Sequence, residues 1–459
     1  MGNIADMVSF INDEILGNIL LVALLGGGLW FSFRLGFIQV RGFGESMRRT
    51  FGGLFSKKGE AGNDGMSSFQ ALATAVAAQV GTGNIAGAAS AIFVGGAGAI
   101  FWMWISAFFG MSTIFAEATM AQKYKRIGED GVVTGGPVYY IRAAFKGGFG
   151  KFLAAAFAVF IILALGFMGN AVQSNSIAAA WNRAFGVPKI VMGVIIAVLA
   201  LFVFSGGMKR IAKFTETVVP VMALFYILGS LFVIISHAGA VPTAFHDIFV
   251  DAFSSHALAG GLVGTTVKMA VQKGIARGLF SNEAGMGSTP HAHAVAKVNH
   301  PVEQGYVAMA GVFLDTFVIL NLTALVILTA PGWRECGLNG AELSQYGFSS
   351  AMGKFGDIFI AICLLFFAFS TIIGWYFFGE ANIKYLFGTK AVKVYGLIVC
   401  VCIVLGSLQE VALVWNLSDL FNSLMVIPNI LGLLFLSKTI KEVYDDYFNN
   451  FLPKQKAKK

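Results

Sequence analysis

Two stretches of this sequence share a pattern of residues able to do chemistry. NIAGAAS (Asn84 to Ser90) and NEAGMGS (Asn282 to Ser288) both read N-x-A-G-x-x-S and lie 198 residues apart. Each interrupts an apolar segment of membrane-spanning length with glycines, an amide and a hydroxyl, where a continuous helix has no use for them. The first belongs to AAQVGTGNIAG (Ala77 to Gly87), with Gly81, Thr82 and Gly83 just before the asparagine; the second follows Phe280 and Ser281. Breaking a helix inside a membrane frees backbone groups that the helix would consume. N–H groups at a half-helix N-terminus can meet a carboxylate, and carbonyls at a half-helix C-terminus can meet a cation. A zwitterion and Na⁺ are suitable guests. Gly83 and Gly87 also make a G-x-x-x-G, which standing alone is more often a helix-packing face, but the matching break in the other half favours a site.

Other polar groups lie in apolar segments. Gln79, just before the first break, and Gln173 can each donate to a carboxylate or accept from an ammonium; interhelical hydrogen bonding is the competing role. Phe280, Ser281 and Met286 flank the second break and could form the far wall. Glu117, Glu283 and Asp315 are acids within spans, and Lys268, Lys273 and Arg277 are bases. Lys273 and Arg277 share a helix face, where pairing with Glu283 or another acid competes with lining an aqueous vestibule. Asp315 and Thr316, with Asn84, are candidates for an additional ion site. His291 and His293, two apart, point to different helix faces and do not read as a metal site. The chain has no HExxH, GxSxG or DxD-type set, which argues against a membrane enzyme, and two inverted broken helices suit a pore less well than a carrier.

The elements that hold these residues follow from composition. The 459 residues are 57% hydrophobic and only 12% charged, a membrane-protein balance. Ile15 to Phe33 follows acidic residues and exceeds a signal peptide's apolar core, so it reads as a retained span. Charge clusters and turns delimit eleven segments of spanning length: 13–36, 66–94, 98–122, 152–180, 189–207, 213–237, 262–296, 303–330, 355–384, 391–408 and 411–437. With the N-terminus outside, the inner side receives most Lys and Arg, including Arg48, Arg49, Lys57, Lys58, Lys125, Lys384 and the lysine-rich tail. Only Arg183, Lys189, Arg334 and Lys354 fall in outer loops. The formal charge of +8 is thus explained by topology, with no nucleic-acid partner required. The division expected is an N-terminal helix and basic loop (1–65), a five-helix repeat (66–237), an outer loop (238–261), a second repeat (262–437) and a basic cytoplasmic tail (438–459). Because five is odd, the repeats enter the membrane from opposite sides. Cys363, Cys400 and Cys402 lie in apolar segments and suggest neither a disulfide nor a metal.

GTGNIAG (Gly81 to Gly87), GAGAIFWMW (Gly96 to Trp104), GNAVQSNS (Gly169 to Ser176) and FSNEAGMGSTP (Phe280 to Pro290) resemble the alanine or glycine:cation symporter family over nearly the whole chain. The resemblance implies an all-α, multi-pass protein of the cell (inner) membrane with a LeuT-type five-plus-five core preceded by one extra helix. It also implies Na⁺-coupled import of alanine and glycine, with D-alanine or serine as further candidate substrates, and no organic cofactor. Proton coupling is the alternative. VGTGN (Val80 to Asn84) is similar to the unwound first core helix of the wider sodium symporter superfamily, which places a substrate carboxylate against the N–H groups around Gly81, Thr82 and Gly83. It turns the carbonyls of Ala77 and Val80 toward Na⁺. FAFSTIIGW (Phe367 to Trp375) supplies Ser370 and Thr371 where the superfamily closes that ion site. Hydroxyls in spans commonly bond back to their own helix, which is the competing role. Trp375, one turn beyond Thr371, shares its face and would leave room for a methyl group and little more.

Overall fold

The computed structural model describes residues 7–8, 10–52, 65–128, 131–253, 267–409 and 411–457. Lys57, Lys58, Lys458, Lys459, the end of the expected outer loop and the first residues of the segment expected at 262 lie outside these. Among the described residues eight helices are long and apolar enough to cross a membrane. We label helices in chain order: α1 (Gly17–Arg34), α2 (Ser68–Gln79), α3 (Gly83–Gly95), α4 (Gly98–Lys123), α5 (Gly147–Phe185), α6 (Lys189–Phe204), α7 (Gly207–Ser236), α8 (Val267–Asn282), α9 (Pro290–Ala294), α10 (Pro301–Thr329), α11 (Lys354–Phe387), α12 (Thr389–Leu408) and α13 (Trp415–Phe435). The other three expected segments are helical but short or broken. They are α2 with α3, α6, and α8 with α9. Helix α7 starts earlier than expected, so Lys209, Arg210 and Lys213 ride on its first turns. The chain is not wholly helical: Arg126–Ile127 and Val133–Thr134 pair as a two-stranded antiparallel ribbon.

Both breaks have local causes. Helix α2 begins at a capping box, with Gln70 N–H donating to Ser67 Oγ and Ser67 N–H to Gln70 Oε1, both at 3.0 Å. It ends where Val80 leaves helical geometry (ψ 86°), and the chain turns helical again at Gly83. Helix α8 ends at Asn282; Glu283, Gly285 and Gly287 then take φ values of 57°, 89° and 78°, and Pro290 opens α9. A left-handed glutamate is held only where its surroundings over-determine it, and here the side chain is fully buried.

The two broken segments run in opposite directions overall. At one end Met66 forms a short parallel bridge beside Ala296, through Met66 N–H to Val295 O and Lys297 N–H to Met66 O, both 2.8 Å. At the middle a Cβ on Gly83 would stand 3.0 Å from Ser281 Cα, and at the far end a Cβ on Gly95 would stand 3.2 Å from Ala270 Cα. The two motif-bearing segments thus run in opposite senses across one another. Helices α4 and α10, which follow the two breaks, pack on one another, and α11 packs beside α2 and α5. Large apolar side chains such as Val198, Phe202, Val221, Phe232, Ile235 and Leu397 face outward, as a lipid-exposed surface requires.

Candidate functional site

At the first break four oxygens converge. Thr371 Oγ1 lies 2.8 Å from the Ala77 carbonyl and 3.5 Å from that of Val80, and Ser370 Oγ lies 3.4 Å from Ala77 O. Both hydroxyls also reach back to Phe367 O, at 2.9 and 3.0 Å. The back-bonding that competes with an ion-binding role is therefore present, yet it does not dispose of the cluster. A hydroxyl has one hydrogen and can satisfy one of the facing carbonyls, which leaves lone pairs directed at one another. A hard cation among such oxygens would satisfy the remainder. Gly81 N–H, which a continuous helix would aim at Ala77 O, is directed at Asn84 Oδ1 at 3.0 Å. All four residues are buried. A methyl on Gly81 would stand 2.3 Å from Thr371 Oγ1 and 3.1 Å from Gln173 Oε1. Gly81→Ala is accordingly expected to push the Thr371 hydroxyl off the Ala77 and Val80 carbonyls and to lower the melting temperature; melting in detergent checks this, and a parental value would show that the methyl is accommodated without disturbing these oxygens.

Beside the oxygens lie unsatisfied polar atoms. Gln173 accepts from Thr82 N–H at 3.1 Å, leaving its Nε2 without a protein partner. Gln79 donates to Asn282 O at 2.7 Å, leaving Oε1 free, and the Thr82 hydroxyl is unpartnered as well. Two donors and an acceptor, all buried, are expensive to leave unmade in a folded protein and suit a zwitterion. Gly83 faces the other break directly, so its lack of a side chain serves close packing against Ser281. Ser281 spends its hydroxyl on Asp315 (3.0 and 3.1 Å).

Asn84, Asp315 and Thr316 are brought together. Asn84 Nδ2 donates to Asp315 Oδ1 at 2.7 Å and Thr316 Oγ1 to Asp315 Oδ2 at 2.9 Å. The repeat-related Asn282 donates to Thr316 Oγ1 at 3.3 Å, so the two asparagines of the shared motif meet adjacent residues. An ion at Asp315 would have to displace these donors. Trp375 is 1% exposed; its indole N–H donates to Glu283 Oε1 at 2.5 Å, its ring meets Phe280 edge-on with centroids 5.6 Å apart, and a Cβ on Gly169 would stand 2.5 Å from it. Glu283 also accepts from Ser288 Oγ. Met286 and Phe280 line a small cavity together with Lys273 and Arg277.

The sequence reading anticipated an acid for Arg277 but named Glu283 first. The structure pairs Arg277 with Asp419 of α13, at 2.8 and 2.9 Å, and lays the guanidinium 4.4 Å over the Trp415 ring, which in turn covers Phe280. Glu283 instead accepts from Trp375 and Ser288. Asp419 was missed, although an acid inside an apolar segment is a signal available in the sequence. Asn429, which donates to Glu117 and to Gly285 O, carried no such signal. His291 bonds Ser288 O and Asn382, and His293 bonds Gln304, so the histidines serve different helices. At the opposite end from Arg277, a cavity of about 370 Å³ is lined by Arg126, Tyr139, His291, Glu380 and Lys384.

Two antiparallel broken helices with facing backbone groups at their breaks give the chain a LeuT-like fold. The fold agrees: over 82% of this chain and 97% of the other, it superposes on MhsT, solved in complex with L-phenylalanine, with a TM-score of 0.55 at 14% identity. The chain belongs to the sodium:alanine symporter family, whose sequence profile matches residues 1–459. It is 42% identical to the sodium/alanine symporter AgcS of Methanococcus maripaludis over 95% of both chains. It is 43% identical to the probable sodium/glutamine symporter GlnT of Bacillus subtilis over 96% of this chain and 90% of that one. It is a multi-pass membrane transporter and not an enzyme.

Proposed function

We propose that the protein imports small neutral amino acids, alanine and glycine foremost, by symport with Na⁺ and alternating access. The observation that carries this reading is the convergence of Ser370 and Thr371 on the carbonyls of Ala77 and Val80 at the first break. Na⁺ sits among those four oxygens. The amino acid's carboxylate takes the N–H groups around Gly81, Thr82 and Gly83 together with the free Nε2 of Gln173, and its ammonium faces Gln79 Oε1. Three buried carboxylates, Glu117, Glu283 and Asp315, act as hydrogen-bond acceptors in this region, and among the described residues none forms a salt bridge with a Lys or Arg. Relatives named for alanine and for glutamine differ in substrate size, and the enclosed Trp375, Phe280 and Met286 support the smaller one here.

In this reading eleven segments cross the cell membrane, with the N-terminus outside: an extra first helix, repeats over 66–237 and 262–437 joined by an outer loop, and a cytoplasmic tail. The test is uptake of labelled alanine into proteoliposomes. Accumulation is expected with an inward Na⁺ gradient and not with K⁺. Accumulation driven by a pH gradient and not by the Na⁺ gradient would replace sodium by protons as the coupling ion.

A further inference from the structure

Glu117 and Asp315 are related by the same 198-residue step as Asn84 and Asn282. They occupy matching places on α4 and α10, and each reaches across to the break of the other half. Glu117 accepts from Gly285 N–H at 3.0 Å, Gly287 N–H at 2.9 Å and Asn429 Nδ2 at 2.5 Å. The two glycines, at φ 89° and 78°, turn their N–H groups into a concave pair of the kind that binds anions. Asp315 accepts from Asn84 at the first break and from Ser281 before the second. The two breaks are nevertheless unequal. The N–H groups of Gly81 and Thr82 hold neutral amide oxygens, from Asn84 and Gln173, whereas those of Gly285 and Gly287 hold a tethered carboxyl group. Hydrogen bonds to an ionised acceptor are about twice as strong as those to a neutral one, so an incoming carboxylate displaces the amides and not Glu117.

We propose that Glu117 is a positioning residue that fills the second break with a resident carboxylate, confining the transported amino acid's carboxylate to the first break, while its counterpart Asp315 ties the two breaks together. The inference rests on the transport reading, and parental uptake, measured first, separates failure of that reading from failure of this one. The experiment is Na⁺-driven alanine uptake by Glu117→Gln and Glu117→Asp in proteoliposomes, with sodium dependence and melting temperature recorded beside it. Glu117→Gln keeps the shape but turns an amide toward N–H donors, and its maximal rate should fall about tenfold or more. Glu117→Asp should recover part of the loss. The Na⁺ requirement should stay within about threefold of the parent's, because the sodium oxygens lie at the other break; a general loss of structure would move the Na⁺ requirement and the melting temperature together. Parental rates in Glu117→Gln, or a loss that Glu117→Asp does not relieve, overturn the proposal. Where Glu117→Gln yields no folded protein, Asn429→Ala, which removes one of the three donors, must lower the rate in smaller measure, and a full rate there is equally fatal.

Discussion

Thr371→Ala is expected to raise the Na⁺ concentration for half-maximal alanine uptake by about ten- to a hundredfold. Its Oγ1 is the side-chain oxygen nearest to both freed carbonyls, 2.8 Å from Ala77 O and 3.5 Å from Val80 O. Losing one contact to a charged group costs about 1.5–3 kcal/mol, and each 1.4 kcal/mol is about a factor of ten. Ser370→Ala should act in the same direction and less strongly, because Ser370 Oγ stands farther off, at 3.4 Å from Ala77 O. Apparent alanine affinity at fixed sodium should fall too, since the coupling between two binding sites is reciprocal. Sodium titrations of uptake, with folding verified by melting in detergent, measure both effects. An unaltered sodium requirement in a folded Ser370→Ala/Thr371→Ala double variant would falsify the ion assignment.

Trp375→Ala is expected to be the most disruptive single change beside the second break. It removes a buried indole that fills the space left by Gly169, abuts Phe280 and supplies one of the two side-chain donors to Glu283. Emptying such a site costs about 3–5 kcal/mol of stability, and a carboxyl group deprived of a donor adds to that. If the indole limits the substrate, the folded fraction should bind alanine less well and admit valine or leucine. Trp375→Phe separates the two roles: it keeps most of the volume and loses the hydrogen bond, so selectivity should hold while the Glu283 contact is lost. Competition of labelled alanine uptake by a series from glycine to leucine reads the outcome. A variant that is less stable but keeps the parental size ranking would move the selectivity wall to Phe280 or Met286.

The site was legible where its signal was local. Gly81, Gly83 and the asparagine motif announce a break by their poor fit to a membrane helix, and Ser370 and Thr371 stand out among apolar neighbours. The structure then places these hydroxyls against carbonyls from a segment almost 300 residues earlier. The partner of Arg277 was not legible in the same way. Glu283 lies six residues on, almost two turns away, and looked available, but it accepts from Trp375, while the guanidinium meets Asp419.

Apolar run length and the repeated N-x-A-G-x-x-S motif by themselves determined a membrane chain with two interrupted helices, because each of these is set by residues near one another in sequence and by the solvent they meet. Only the tertiary structure decided that Glu117 meets Gly285 and Gly287, that Asn84 and Asn282 meet Asp315 and Thr316, and that Trp415 roofs Phe280 beneath the Arg277–Asp419 pair. A buried polar group must find a partner somewhere, but its own sequence neighbourhood does not say which of several distant groups is within reach. That choice belongs to the packing of α4, α10 and α13 around the breaks, where a shift of one helical turn would exchange every partner.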